Sequence, residues 1–234
     1  MEFQNRSRFF NLPAATKHLI IINFLCWAAS LVLPKFNIDL VQWFGLHFPG
    51  AVDFYPFQFV TYMFMHDTHS LAHIFFNMFA VFMFGAALEN IWGAKRFLAF
   101  YLISGIGAAV VQEAVWLYLI HATADVYQVG IVEILRDPSV NHLITVGASG
   151  AVFGILLGFG MFFPNTPLYL FFIPIPIKAK YFVVLYGVAE LLLGVASFSG
   201  DRIAHFAHLG GMLFGFIVIK YWQKKDRNNG RYTY

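Results

Sequence analysis

Six stretches of this chain run for roughly twenty residues with at most one Asp, Glu, Lys or Arg in each: 17–33, 71–88, 97–120, 143–163, 181–198 and 203–222. A helix needs about 17–25 mostly apolar residues to cross a hydrocarbon core, and runs of that length read as spans. In lipid every backbone N–H and C=O must be satisfied internally, which a helix does by itself. The expected class is therefore an all-α polytopic membrane protein. The composition agrees: of 234 residues 59% are hydrophobic and only 12% charged, too few to cover a water-facing surface. The chain reads as one membrane domain, 1–234, with short tails at about 1–16 and 223–234. Cys26 has no second cysteine to pair with. No cleaved signal peptide is expected from the first residues.

Charge sets the expected orientation. With six spans, one side holds Arg6, Arg8, Lys17, Lys95, Arg96, Lys178, Lys180, Lys220, Lys224, Lys225, Arg227 and Arg231. The other holds Lys35, Arg136 and Arg202. The positive-inside rule then places both termini in the cytoplasm and makes the loops at 34–70 and 121–142 external. The run LYLFFIPIPI at 168–177 is too short to span and is broken by Pro174 and Pro176, so it reads as a membrane-surface loop. The aromatic stretch 54–65 reads as interfacial.

Polar side chains inside spans cost free energy and mark candidate sites. The second span carries His69, His73 and Asn77, the fourth Ser149, and the sixth His205 and His208. Measured from the expected span starts, Asn77, Ser149 and His208 lie at one depth, roughly 7–9 Å at 1.5 Å per residue. His73 and Asn77 are spaced i,i+4 and share a helix face. Gly150, Gly154 and Gly158 repeat at every fourth position, as do Gly211 and Gly215. Such stripes let helix backbones approach closely in lipid. Packing these two helices together brings Ser149 toward His208, the geometry nucleophilic catalysis needs. Each feature has a plainer reading: Ser149 as a small packing residue, the histidines as structural hydrogen-bonding groups. A metal site is a third reading, from His66, His69 and His73 at i,i+3,i+7 and His205 and His208 at i,i+3. No H-E-x-x-H pattern accompanies them, so no metal and no cofactor are expected. Glu89 and Glu113 read as water-accessible near helix ends. Glu190, mid-span, reads as a helix buttress or part of an ion path.

Taken together these motifs resemble the rhomboid intramembrane serine proteases. The residues that carry the likeness are Gly147-Ala148-Ser149-Gly150, His73-Ile74-Phe75-Phe76-Asn77 with its lead-in Thr61–His66, the segment GAALENIWG at 85–93, and Ala207-His208-Leu209-Gly210-Gly211 with Gly215. The resemblance implies a six-helix bundle with cytoplasmic termini. It implies a Ser149–His208 dyad without a third acid; Asp201, near His208 in sequence, has no support as a partner. His73, Asn77 and the Ser149 N–H would form an oxyanion hole, Gly147 and Gly150 would support the serine, and Phe153 would pack on the catalytic imidazole. Many relatives carry Trp-Arg before the Thr-Tyr lead-in, where Phe57-Gln58 stands here, which puts the anchoring of the first loop in question. The implied function is cleavage of transmembrane segments of single-span proteins near the outer face of a bacterial inner membrane. The expected partners are those substrates and the lipid bilayer, with no nucleic acid. Two rivals stand beside it: a non-catalytic membrane-protein binder or chaperone on the same scaffold, and a transporter or metal-dependent protein built on Glu190 or on His66, His69 and His73.

Overall fold

The computed structural model describes residues 12–170, 173–196 and 205–230. The first long helix, α1 (Ala14–Val32), passes into a 3-10 turn at Leu33–Phe36. A short helix α2 (Leu40–Phe44), a two-residue strand β1 (Leu46–His47) and a helical turn α3 (Gln58–Thr61) follow. The second apolar helix is α4 (Leu71–Ala80), a π-helical stretch Val81–Gly85, and α5 (Ala86–Trp92) in one continuous rod. Next come α6 (Ala94–Tyr127), α7 (Ile131–Arg136), a 3-10 turn Pro138–His142 and β2 (Ile144–Thr145). The chain closes with α8 (Ser149–Phe162), strands β3 (Pro167–Leu170) and β4 (Ile173–Lys178), α9 (Ala179–Ala196) and α10 (His205–Asn228).

The protein is mostly helical. Among the described residues four helices are long and apolar enough to cross a membrane: Ala14–Phe36, Leu71–Trp92, Ala94–Tyr127 and Ala179–Ala196. Their outward faces are apolar: Leu25, Phe75, Leu117 and Leu185 are all exposed, as expected of surface that meets lipid rather than water. The boundaries differ from the expected ones in instructive places. The third span is longer at both ends. The 121–142 loop is largely helical, since α6 runs to Tyr127 and α7 follows. The fourth span does not start at 143: β2 pairs antiparallel with β1, and the helix begins only at Ser149. Gly147, with φ +126, makes the break, because only a residue without a Cβ adopts that conformation freely. The run at 168–177 is not a plain loop; β3 and β4 pair as an antiparallel hairpin. Part of the expected C-terminal tail is helix, since α10 continues to Asn228.

The core is a three-helix contact of α6, α8 and α10, and the glycines make it possible. A Cβ on Gly211 would sit 1.9 Å from the Gly150 carbonyl oxygen, and one on Gly154 would sit 2.5 Å from Ser104 of α6. Gly150 and Gly154 therefore serve α10 and α6 together. Gly158 instead faces Leu88, Trp92 and Phe100. At the end away from Ser149, Arg96 of α6 makes two 2.7 Å hydrogen bonds to Asp226 of α10, and its guanidinium stacks over Trp222. Glu89 is buried rather than water-accessible. Its carboxylate accepts from the backbone N–H groups of Ala15 and Thr16 and from the Thr16 hydroxyl. Those are donors that the start of α1 leaves without intrahelical partners.

Candidate active site

Gly147 hands the chain from β2 into α8, and the first residue of that helix is Ser149. The serine is thus at the helix N-terminus, not a turn and a half inside a span, and depth alone does not explain its alignment with the other groups. Close packing of α10 on the Gly150–Gly154 face explains it. That contact brings His208 Nε2 to 2.9 Å from Ser149 Oγ. Phe153, one turn further along α8, lies parallel to the His208 ring, with centroids 4.3 Å apart and planes 6° from parallel. The ring of Tyr186 of α9 also stacks with Phe153, at 5.0 Å.

The other imidazole nitrogen of His208 meets the acid that the resemblance leaves out. His208 Nδ1 donates to Glu190 Oε2 at 2.9 Å, and His205 Nδ1 donates to the same oxygen at 2.7 Å. Glu190 is 5% exposed, so two N–H groups replace the water it has lost. The resemblance implies a Ser149–His208 dyad with no third acid; the structure sets Glu190 beside that histidine and ties α9 through it to two histidines of α10. Sequence reasoning had both signals, a carboxylate in mid-span and two histidines at i,i+3, but nothing to say that α9 and α10 face one another at that level. Asp201 lies outside the described residues.

His73 stands on the opposite wall, on α4. The backbone N–H of Asp67 donates to its Nδ1 at 3.2 Å, which leaves the proton of a neutral ring on Nε2. That Nε2 lies over Gly147: a Cβ added there would be 2.8 Å from it and 3.7 Å from Ser149 Oγ. Asn77, 6% exposed, donates through Nδ2 to the His73 carbonyl at 2.8 Å and keeps a second N–H on the same nitrogen. His73 and Asn77 line the same cleft as Ser149, where the first turn of α8 leaves backbone N–H groups without intrahelical partners. An oxygen that gains negative charge there would meet donors already in place.

All of these groups border a cleft of about 1710 Å³. Phe76, Asn77 and Ala80 of α4 line one side, and Phe182, Tyr186 and Glu190 of α9 line the other. The three histidines of the alternative metal reading are set apart: His66 is buried against His73, while His69 is exposed and its N–H donates to Asp67. Among the described residues the group with metal-ligand spacing is Glu190, His205 and His208, whose donor atoms lie within 4.8 Å of one another. Those atoms satisfy each other by hydrogen bonds as they stand.

Residues 53–224 match the family described as Rhomboid domain. The chain belongs to the rhomboid family. It is an integral membrane protein. It is 30% identical over 153 residues to Rhomboid protease AarA of Providencia stuartii, a match covering 62% of this chain and 49% of that protein. It is 32% identical over 152 residues to Rhomboid protein 1, mitochondrial, of Saccharomyces cerevisiae, covering 65% of this chain and 38% of that one. The human Presenilin-associated rhomboid-like protein, mitochondrial, is 29% identical over 169 residues, covering 67% and 37%. The matches thus span half or less of the length of these relatives. In this rhomboid the place of Phe57-Gln58 is settled by its hydrogen bonds. Gln58 is fully buried, its Nε2 donates to the Trp43 and Asp53 carbonyls, and its Oε1 accepts from the His47 and Tyr55 N–H groups. All four hydrogen-bonding positions of one amide tie the first loop together.

Proposed function

We propose that this rhomboid is an intramembrane serine endopeptidase that uses Ser149 as nucleophile and His208 as base. The observation that carries the reading is the 2.9 Å contact between Ser149 Oγ and His208 Nε2 in a cleft that His73 and Asn77 also line. Ser149 attacks a peptide carbonyl and its proton passes to His208 Nε2. The new oxyanion takes hydrogen bonds from His73 Nε2–H, the free Asn77 N–H and the Ser149 backbone N–H. In soluble proteases one such donor is worth about 2.7–4 kcal/mol. His208 then protonates the leaving amine, and water reverses the sequence on the acyl-enzyme.

The substrates in this reading are transmembrane segments of single-span proteins. A helical peptide hides its carbonyls in its own hydrogen bonds, so the scissile segment has to unwind before Ser149 can reach it. In this reading the membrane is a bacterial inner membrane crossed six times, with the 14-residue α8 and the 24-residue α10 among the spans, and the distribution of Lys and Arg orients both termini to the cytoplasm. The site then lies near the outer face, where water for hydrolysis enters. The binder or chaperone reading keeps the scaffold but needs no Ser149–His208 contact.

Labelling of the purified chain with a fluorophosphonate probe tests the proposal. Labelling of the wild type that disappears in Ser149→Ala and falls sharply in His208→Ala supports it. A folded wild type that neither labels nor cleaves a transmembrane substrate in liposomes favours the non-catalytic scaffold.

A further inference from the structure

A carboxylate in the middle of an apolar helix is expensive unless something specific holds it. Glu190 of α9 is held by two imidazoles from one face of α10, spaced i,i+3, which both point Nδ1 at its Oε2. One of these imidazoles is the base that contacts Ser149. A neutral imidazole carries one proton. With that proton on Nδ1 and donated to Glu190, the lone pair of His208 is on Nε2, facing the serine hydroxyl.

We infer that Glu190 is the positioning carboxylate of a Ser149–His208–Glu190 triad, with His205 as a second donor that holds the carboxylate in place. The inference rests on the protease reading. In the acylation step the Ser149 O–H bond breaks and the bond from Oγ to the carbonyl carbon forms. The proton goes to His208 Nε2. Glu190 takes no proton; it keeps the Nδ1–H bond and faces the imidazolium with a negative charge. When the tetrahedral intermediate collapses, the C–N bond breaks and the Nε2 proton leaves with the amine. The groups that face His208 come from three helices besides its own: Ser149 and Phe153 of α8, Glu190 of α9 and His73 of α4, with His205 on α10 itself. Among these described neighbours Glu190 supplies the acid, and His205 occupies the same oxygen.

Kinetics of the full chain in liposomes with a cleavable transmembrane substrate, alongside fluorophosphonate labelling rates and thermal unfolding, test this. Glu190→Gln is expected to leave KM near the wild-type value while kcat and the labelling rate fall together. The loss should be about 10²-fold or more, because an amide does not enforce the tautomer; the corresponding change in a soluble triad costs about 10⁴-fold. Glu190→Asp should recover part of the rate, and His205→Gln should cost less than Glu190→Gln. A folded Glu190→Gln with kcat and labelling within about twofold of wild type overturns the inference, since a change of that size is under about 0.5 kcal/mol in the barrier. If Glu190→Gln does not fold, Glu190→Asp decides. Reduced kcat at unchanged KM in a folded Asp variant supports the triad, and wild-type kcat overturns it. Ser149→Ala separates the two levels: a wild type indistinguishable from Ser149→Ala sinks the protease reading itself.

Discussion

The ring of His208 lies flat on the ring of Phe153, 4.3 Å away and within 6° of parallel. Together with the hydrogen bonds at its two nitrogens, this contact fixes the imidazole in all three directions. Phe153→Leu keeps an apolar side chain of similar bulk but removes the stack. An aromatic pair of this kind is worth about 0.5–1.5 kcal/mol, so kcat is expected to fall by up to about tenfold with little change in KM. Steady-state kinetics of the variant would show it, and an unchanged kcat would mean that the hydrogen bonds alone orient the ring.

Gly147 carries two constraints at once: φ of +126, and a position where a Cβ would lie 2.8 Å from His73 Nε2. Gly147→Ala therefore strains the turn and pushes His73 away from the serine. A displacement of about 1 Å at a reacting centre can cost about 10²-fold. We expect a loss of that order in kcat, with α8 still formed by circular dichroism. Near-wild-type cleavage would show that the His73 wall moves without consequence.

Gln58→Ala removes four hydrogen bonds and leaves the Trp43, Asp53, His47 and Tyr55 backbone groups to find other partners. A cost on the order of 2–4 kcal/mol is expected, since buried groups left unpaired lose their full desolvation energy. Thermal unfolding in detergent measures it. A midpoint within a degree or so of wild type would contradict the anchoring role.

His66 gives a pH dependence with a definite sign. Burial first, and then the neighbouring His73, lower its pKa from 6.5 to about 3. Between those values the unfolded chain binds a proton at this position and the folded chain does not. The stability contributed by neutral His66 is therefore complete above about pH 6.5 and is lost progressively as pH falls toward about 3. His66→Leu should flatten this acid-side slope in unfolding midpoints taken at a series of pH values. Parallel slopes for variant and wild type would rule it out.

Much of the fold was legible in the sequence because lipid imposes a simple rule on it. The apolar runs gave the membrane class, and the i,i+4 pair His73 and Asn77 sits on one helix as spacing required. The four-residue glycine steps marked the close approach of α8 and α10. What periodicity misread was the start of α8. An apolar run continues through Leu143–Ala148, but β-pairing to Leu46–His47 and the positive φ of Gly147 interrupt the helix there. Hydropathy reports whether a residue tolerates lipid, not whether its backbone is helical.

By itself the sequence determined that this chain belongs in a membrane and that Ser149, His208, His73 and Asn77 are its chemically interesting polar residues. Only the tertiary structure decided which of them meet, and that Glu190 joins them. Its carboxylate reaches His208 because α9 packs on α10 at that level, and no local pattern along either helix encodes the contact. Spacing within one helix follows from the geometry of the α-helix, whereas a contact between helices depends on how all of them pack.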